Sequence, residues 1–207
     1  MLQSMFAVTF TANRDSRWLY EILQFLFNHI EELNQAEFAS LFKDFLEKMA
    51  VRYAEESLFD KDGNIKRYGA ILVYDFNFID YILWKNRSDL KGKYSSVAFE
   101  DFKFTYRRSI EHWFPQHPNS DERVEKIDDK FLHSFGNLCI ITDSQNSKFG
   151  NLVPSAKYKQ WEGIFNRQSL KLQMMADVTV KNDKWGIREI QSMEKEVERY
   201  VHDFCFS

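Results

Sequence analysis

Glu111 and His112 stand side by side in the segment Ser109-Ile-Glu-His-Trp-Phe-Pro-Gln, just ahead of Pro115. A carboxylate next to an imidazole can serve phosphodiester hydrolysis, which needs a base to deprotonate water and a cation to meet charge developing on the phosphate. A histidine near its ordinary pKa of about 6.5 suits the first task at neutral pH. Carboxylate and carboxamide oxygens suit the second, because hard cations such as Mg2+ prefer oxygen ligands and keep part of their water. Glu111 and Asn146 are the candidate donors. Neighbouring strand residues point to opposite faces, so Glu111 and His112 share one site only where the strand ends or bends, and Pro115 supplies such a break. A Glu-His dipeptide alone is usually an ordinary solvated pair; Asn137 alone reads as a turn residue and Asn146 alone as a helix cap. Their joint occurrence, in order, gives the set its weight. His117, five residues past His112, is a secondary candidate, whereas His29, His133 and His202 fall in helical patterns without ligand-type partners and receive no role.

The elements that must position these residues follow from periodicity. Phe102, Phe104 and Tyr106 alternate with polar residues, so 101–113 reads as a strand running up to Glu111-His112. A Pro- and Ser-containing loop over 115–130 comes next, then the short apolar strand Asn137-Leu-Cys-Ile-Ile-Thr. A helix capped by Asp143 or Ser144 then carries Gln145, Asn146 and Lys148. The order is strand, loop, strand, helix. Upstream, Phe6–Phe10 reads as a short strand, Trp18 to Ile30 as an amphipathic helix, and Phe38 to Met49 as a second helix capped by Asn34 and packed on the first. A turn at Phe59-Asp-Lys-Asp-Gly-Asn-Ile leads into Tyr68–Trp84, apolar nearly all round, which reads as a buried helix with a strand pair as the alternative. Ile190, Met193, Val197, Tyr200, Val201 and Phe204 define a long closing helix. The polar stretch Asn86–Tyr94 divides the chain into a helical part, 1–90, and a second domain, 91–207. The fold class is α+β, mostly helical.

Composition limits the partners. Twenty Phe among 207 residues, with seven Gly and three Pro, describe a densely packed chain. Two cysteines give neither a zinc pair nor a disulfide framework, and no apolar run approaches the ~18 residues of a membrane span, so a soluble cytoplasmic protein is expected. The formal charge of −3 means that any nucleic-acid contact must come from a local surface. From Asn146 to Lys171 five basic residues, Lys148, Lys157, Lys159, Arg167 and Lys171, face one acid, Glu162, with Lys103, Arg107 and Arg108 nearby. Tyr158 and Trp161 are interleaved, as on a surface that tracks a phosphate backbone; a solvated helix face is the competing reading. There is no phosphate-cradling glycine loop of the Walker type.

Ile110-Glu-His-Trp-Phe-Pro-Gln, taken with Phe135-Gly-Asn-Leu-Cys-Ile-Ile-Thr-Asp-Ser-Gln-Asn-Ser-Lys-Phe-Gly-Asn, resembles the C-terminal HNH-like (His-Me finger) domain of GmrSD-type modification-dependent restriction endonucleases. The likeness is close over about residues 100–160. It implies a ββα-metal finger acting as a metal-dependent DNA endonuclease in phage defence. His112 would be general base, Asn137 would pin the loop that holds His112, and Asn146 and Glu111 would hold Mg2+ or Mn2+. Asn151 and Lys157 match the family pattern's later polar positions and would contact phosphates, a lysine acting as a point charge, with Lys148 and Arg108 of the basic surface as further candidates. Full-length members carry an N-terminal ParB-like nucleotide-using domain, for which this chain has no room, so a missing domain or subunit is the implied partner besides DNA. The competing reading is a catalytically inactive finger that binds nucleic acid or a partner protein; an RNase is a third.

Overall fold

The computed structural model describes residues 1–11, 16–119 and 126–206. The fold is α+β and mostly helical, with one two-stranded antiparallel sheet and a long C-terminal helix. Residues 120–125 of the expected loop lie outside the described residues.

Helix α1 (Leu2–Thr9) takes the place of the strand expected at Phe6–Phe10. Leu2, Met5 and Phe6, spaced i, i+3, i+4, are its buried face, and this helical stripe begins before the aromatic pair that suggested a strand. Helix α2 (Arg17–Asn28) packs on α3 (Phe38–Ser57) through Phe25, whose ring lies 4.1 Å from that of Phe45 and 5.9 Å from that of Phe42. Asn34 does not cap α3; Glu37 precedes its first turn. Leu19, Tyr20, Leu23 and Phe27 stay exposed along α2, and Ile30, expected at the end of this helix, is exposed just beyond it. The expected turn is present, Asp60 Oδ1 accepting from the backbone N–H of Asp62 and of Asn64, each at 2.9 Å.

Helix α4 (Val73–Lys85) is the axis of the core, with every residue from Tyr74 to Leu83 buried. Asp75 caps its start, Oδ2 accepting from Leu72 N at 2.7 Å. Its buried polar groups reach out to other helices. Asp75 accepts from Ser57 Oγ of α3 at 2.5 Å, Asn77 Nδ2 donates to Thr9 Oγ1 of α1 at 2.8 Å, and Asp80 Oδ1 accepts from Lys171 N at 3.0 Å. Burial demands such partners, and each partner fixes how one helix sits on α4. A short helix, α5 (Arg87–Leu90), follows.

Strand β1 (Ser109–His112) pairs with β2 (Leu138–Ile141), Ser109 facing Ile141 and His112 facing Leu138. The strand expected over 101–113 is therefore only its last part. Phe102 and Phe104 are buried and alternate with exposed neighbours as expected, but among the described residues no strand pairs with them, and β2 is only four residues long. Between the strands lie helix α6 (Asp129–Leu132) and a 3-10 turn, Phe135–Asn137. After them come α7 (Asp143–Phe149), α8 (Pro154–Trp161), a 3-10 turn at Glu162–Arg167, α9 (Leu170–Asn182) and α10 (Ile187–Phe206). Thr142, not Asp143 or Ser144, caps α7 in a reciprocal box: Thr142 Oγ1 accepts from Gln145 N at 3.3 Å and Gln145 Oε1 from Thr142 N at 3.0 Å. No described helix is long and apolar enough to cross a membrane.

The turn ahead of β2 lies directly on α10. A Cβ added to Gly136 would stand 2.2 Å from the carbonyl oxygen of Ile190, so only glycine lets the two backbones approach this closely. Gly136→Ala is expected to destabilise the fold by about 1–3 kcal/mol through overpacking, seen as a Tm about 2–12 °C lower in thermal unfolding; an unchanged Tm would show that α10 moves away freely.

Candidate active site

β1 sends its last two side chains to opposite sides. Glu111 points to α8 and His112 to the residues that end α6, so the strand does not bring carboxylate and imidazole to one point, as alternation along a strand predicts.

On the first side, Lys157 of α8 is fully buried and its Nζ reaches Glu111 Oε1 at 2.6 Å, the carbonyl of His112 at 2.7 Å and that of Trp113 at 2.9 Å. These three acceptors satisfy all three donors of an ammonium. The rings of Trp113 and Phe149 flank it, with centroids 5.7 and 5.6 Å away. Burial works against both charges, raising the Glu111 carboxyl and lowering the Lys157 ammonium, and each charge offsets part of that for the other. Lys157 was expected at a phosphate. It instead ties Glu111 to the backbone that follows His112. Asn146, on α7, lies toward the beginning of β1, its Nδ2 donating to Ser109 Oγ at 2.7 Å.

Asn137 is wholly buried and engaged on both ends of its amide. Oδ1 accepts from Phe114 N at 2.9 Å and Trp185 Nε1 at 3.1 Å, and Nδ2 donates to the carbonyls of Phe114 at 3.0 Å and Leu132 at 2.9 Å. Its own carbonyl accepts from Trp113 N at 2.9 Å. One side chain thus holds the exit of β1, the end of α6 and the approach to α10 together.

His112 is itself almost buried, at 4 % exposure. Nδ1 accepts from the Gln116 amide at 3.2 Å, which leaves the ring proton on Nε2, 3.0 Å from Nδ1 of His133. The Tyr68 ring packs edge-on to His112 at 4.5 Å and stacks on His133 at 5.7 Å. Burial first, then His133 and Lys157, push the His112 pKa down to about 4, so the ring is unprotonated at neutral pH. Gln116 is exposed, so the partner of Nδ1 reaches solvent. Tyr68 and His133 have no signal in the sequence, since 44 and 21 residues separate them from His112 with no shared periodicity, whereas Gln116 ends the motif that carries the resemblance but received no role.

The expected basic surface is smaller than its composition suggests. Lys157 is spent on Glu111, Lys171 is buried with Nζ on the carbonyls of Phe135 and Leu138, and Arg107 is buried with Nη2 on the carbonyl of Arg167. Lys148 lies exposed, 5.2 Å over the Trp161 ring; Arg108 is exposed but paired with Asp143 at 2.6 Å; Lys159, Arg167, Asn151 and His117 are exposed.

The donor set can be tested against a divalent ion. Among the described residues no three His, Cys, Asp or Glu side chains come together as a metal site. Glu111 already carries the Lys157 ammonium, and a second cation on that carboxylate would face strong repulsion at low dielectric. Glu111 and Asn146, as arranged, do not fit a shared divalent ion.

A strand, a loop pinned by a buried asparagine, a second strand and a capped helix surround one buried, neutral histidine. The chain belongs to the family described as GmrSD restriction endonucleases, C-terminal domain, whose family model matches residues 43–197. No curated protein and no solved structure matches it.

Breaking the buried pair from one side is expected to be severe. Glu111→Gln leaves the Lys157 ammonium without its counter-ion and should lose about 3–5 kcal/mol, while adding Lys157→Met should recover part of that loss. Urea unfolding of the two single variants and the double variant measures the coupling; additive losses would mean that the pair does not interact.

Proposed function

We propose that this chain is the nuclease part of a restriction endonuclease acting on DNA in phage defence, with His112 as the general base that takes a proton from the attacking water. The observation that carries this reading is the state of His112, an unprotonated imidazole whose Nδ1 lone pair is met by the amide of the exposed Gln116. Rotation of Gln116 frees that lone pair for a water molecule, and Nε2–H keeps its acceptor meanwhile. Asn137 positions the ring indirectly, by fixing the backbone at Trp113 and Phe114 on the C-terminal side of His112. Lys148, Asn151 and Arg108, with Lys159 and Arg167, are the exposed groups to hold the DNA backbone, and Arg108 must exchange Asp143 for phosphate to do so. Family membership supports the endonuclease class. We further propose that a nucleotide-using ParB-like domain or subunit selects the target.

A second reading has one observation in its favour. Glu111, the carboxylate expected to hold Mg2+ or Mn2+, is committed to Lys157, which suits a catalytically inactive finger that binds DNA or a partner.

Nicking of supercoiled plasmid by the purified 207-residue chain, with Mg2+, Mn2+ or EDTA, separates the two. The nuclease reading expects nicking that His112→Ala lowers by about 100-fold or more; binding of plasmid without nicking in any metal speaks for the inactive module. A base must be unprotonated to act, so the depressed pKa carries a pH signature: the rate should hold from about pH 8 down to about pH 5 and fall only as pH approaches about 4. An acid limb centred near 6.5, the ordinary histidine value, would rule out the buried imidazole as the base.

A further inference from the structure

His133 received no role from the sequence, yet its ring meets the candidate base directly. We propose that His133 is a positioning residue, its Nδ1 accepting the Nε2–H of His112 and so holding that ring in the one tautomer whose Nδ1 lone pair faces Gln116 and solvent. This rests on the reading of His112 as base.

The hydrogen bonds run in one direction. The Gln116 amide turns its Nε2, a donor, to the ring, so in this orientation His112 Nδ1 accepts, its proton sits on Nε2, and His133 Nδ1, 3.0 Å away, accepts in turn. His133 is well placed to impose that order. It closes α6, its backbone N–H donating to the Asp129 carbonyl at 3.0 Å, and its own carbonyl accepts from Tyr68 N at 3.1 Å. The Tyr68 ring then stacks on His133 at an interplanar angle of 16° and meets His112 edge-on at 65°, so both imidazoles are clamped by one aromatic side chain. With His133 removed, the buried Nε2–H would lose its partner. The proton would then be better placed on Nδ1, donating to the other end of the Gln116 amide, and the lone pair would point away from solvent. A tautomer so reversed can abstract nothing from a water at the Gln116 side. When His112 does take a proton at Nδ1, the resulting imidazolium keeps its Nε2–H bond to His133, so charge is shared along a preformed hydrogen bond without any rearrangement.

The test uses His133→Asn and His133→Phe in the full chain. The asparagine Oδ1 falls where the histidine Nδ1 was and can accept the same bond, whereas phenylalanine fills the space and accepts none. Two readouts are taken: plasmid-nicking kcat and KM, and the His112 tautomer from long-range 15N–1H correlation spectra of the side-chain nitrogens. The expected result is an Nε2–H tautomer in the wild-type chain and in His133→Asn, lost in His133→Phe. With it goes a kcat drop of about 10- to 100-fold at nearly unchanged KM in His133→Phe, largely restored in His133→Asn. A His112 tautomer unaltered in His133→Phe overturns the proposal, as does equal loss of kcat in both variants. The spectra need no turnover, so if the wild-type chain proves inactive, or His112→Ala keeps full activity, the base reading fails on its own while the tautomer still decides whether His133 sets the ring.

Discussion

The carboxamide of Asn137 is the constraint on which the site hangs. Its oxygen accepts from Phe114 and Trp185 while its nitrogen donates to Phe114 and Leu132, and all four bonds are made away from water. Backbone groups beyond the end of a strand have no ladder partner, and leaving them buried and unmet would cost about 1–3 kcal/mol each. Asn137 supplies donor and acceptor to the same peptide residue, Phe114, which no aliphatic or purely acidic side chain of that size can do. The turn that carries it is in turn pressed onto α10 at Gly136. The position of His112 is therefore set by long-range tertiary contacts, and the four-residue strand does little more than deliver it.

Lys157 acts from the other side of the same strand end. It binds the carbonyls of His112 and Trp113 together with Glu111, so two buried residues, one amide and one ammonium, grip three successive peptide units. The two devices differ in sensitivity. The amide carries no charge and is indifferent to pH and salt, whereas the ammonium is stable in the interior only because a carboxylate stands beside it. A carboxylate that looks like a metal ligand in the sequence thereby becomes the counter-ion of a structural cation.

Much of the framework was legible. Helices α2, α3 and α10 announce themselves by apolar residues three and four apart, α4 by an apolar run too long for a buried strand, and β2 by a short run of apolar residues. The strand, loop, strand, helix order around Glu111 and His112 was readable for the same reason. What escaped depended on neighbours. The alternation at Phe102 and Phe104 is real burial, but a strand also needs a partner, and sequence alternation does not reveal one. The lysines Lys157 and Lys171 read as surface charge because burial of an ammonium depends on carbonyls gathered from distant turns. His133 was passed over because its pattern is local and its contact is not. The cap of α7 was misread by one or two residues because Thr142, Asp143 and Ser144 are all good caps, and only the reciprocal bond with Gln145 selects the first.

The connection between the strands has its two ends, Phe114 and Leu132, joined through a single side chain. Closing a loop costs free energy that grows only with the logarithm of its length, roughly 0.6 kcal/mol for each doubling. With closure assigned to Asn137, insertions and deletions between Gln116 and α6 bear lightly on the geometry at His112. Beyond Gln116 the connection can therefore be lengthened, shortened or rewritten, and what it presents to its surroundings varied, with the anchorage of the His112 backbone left in place.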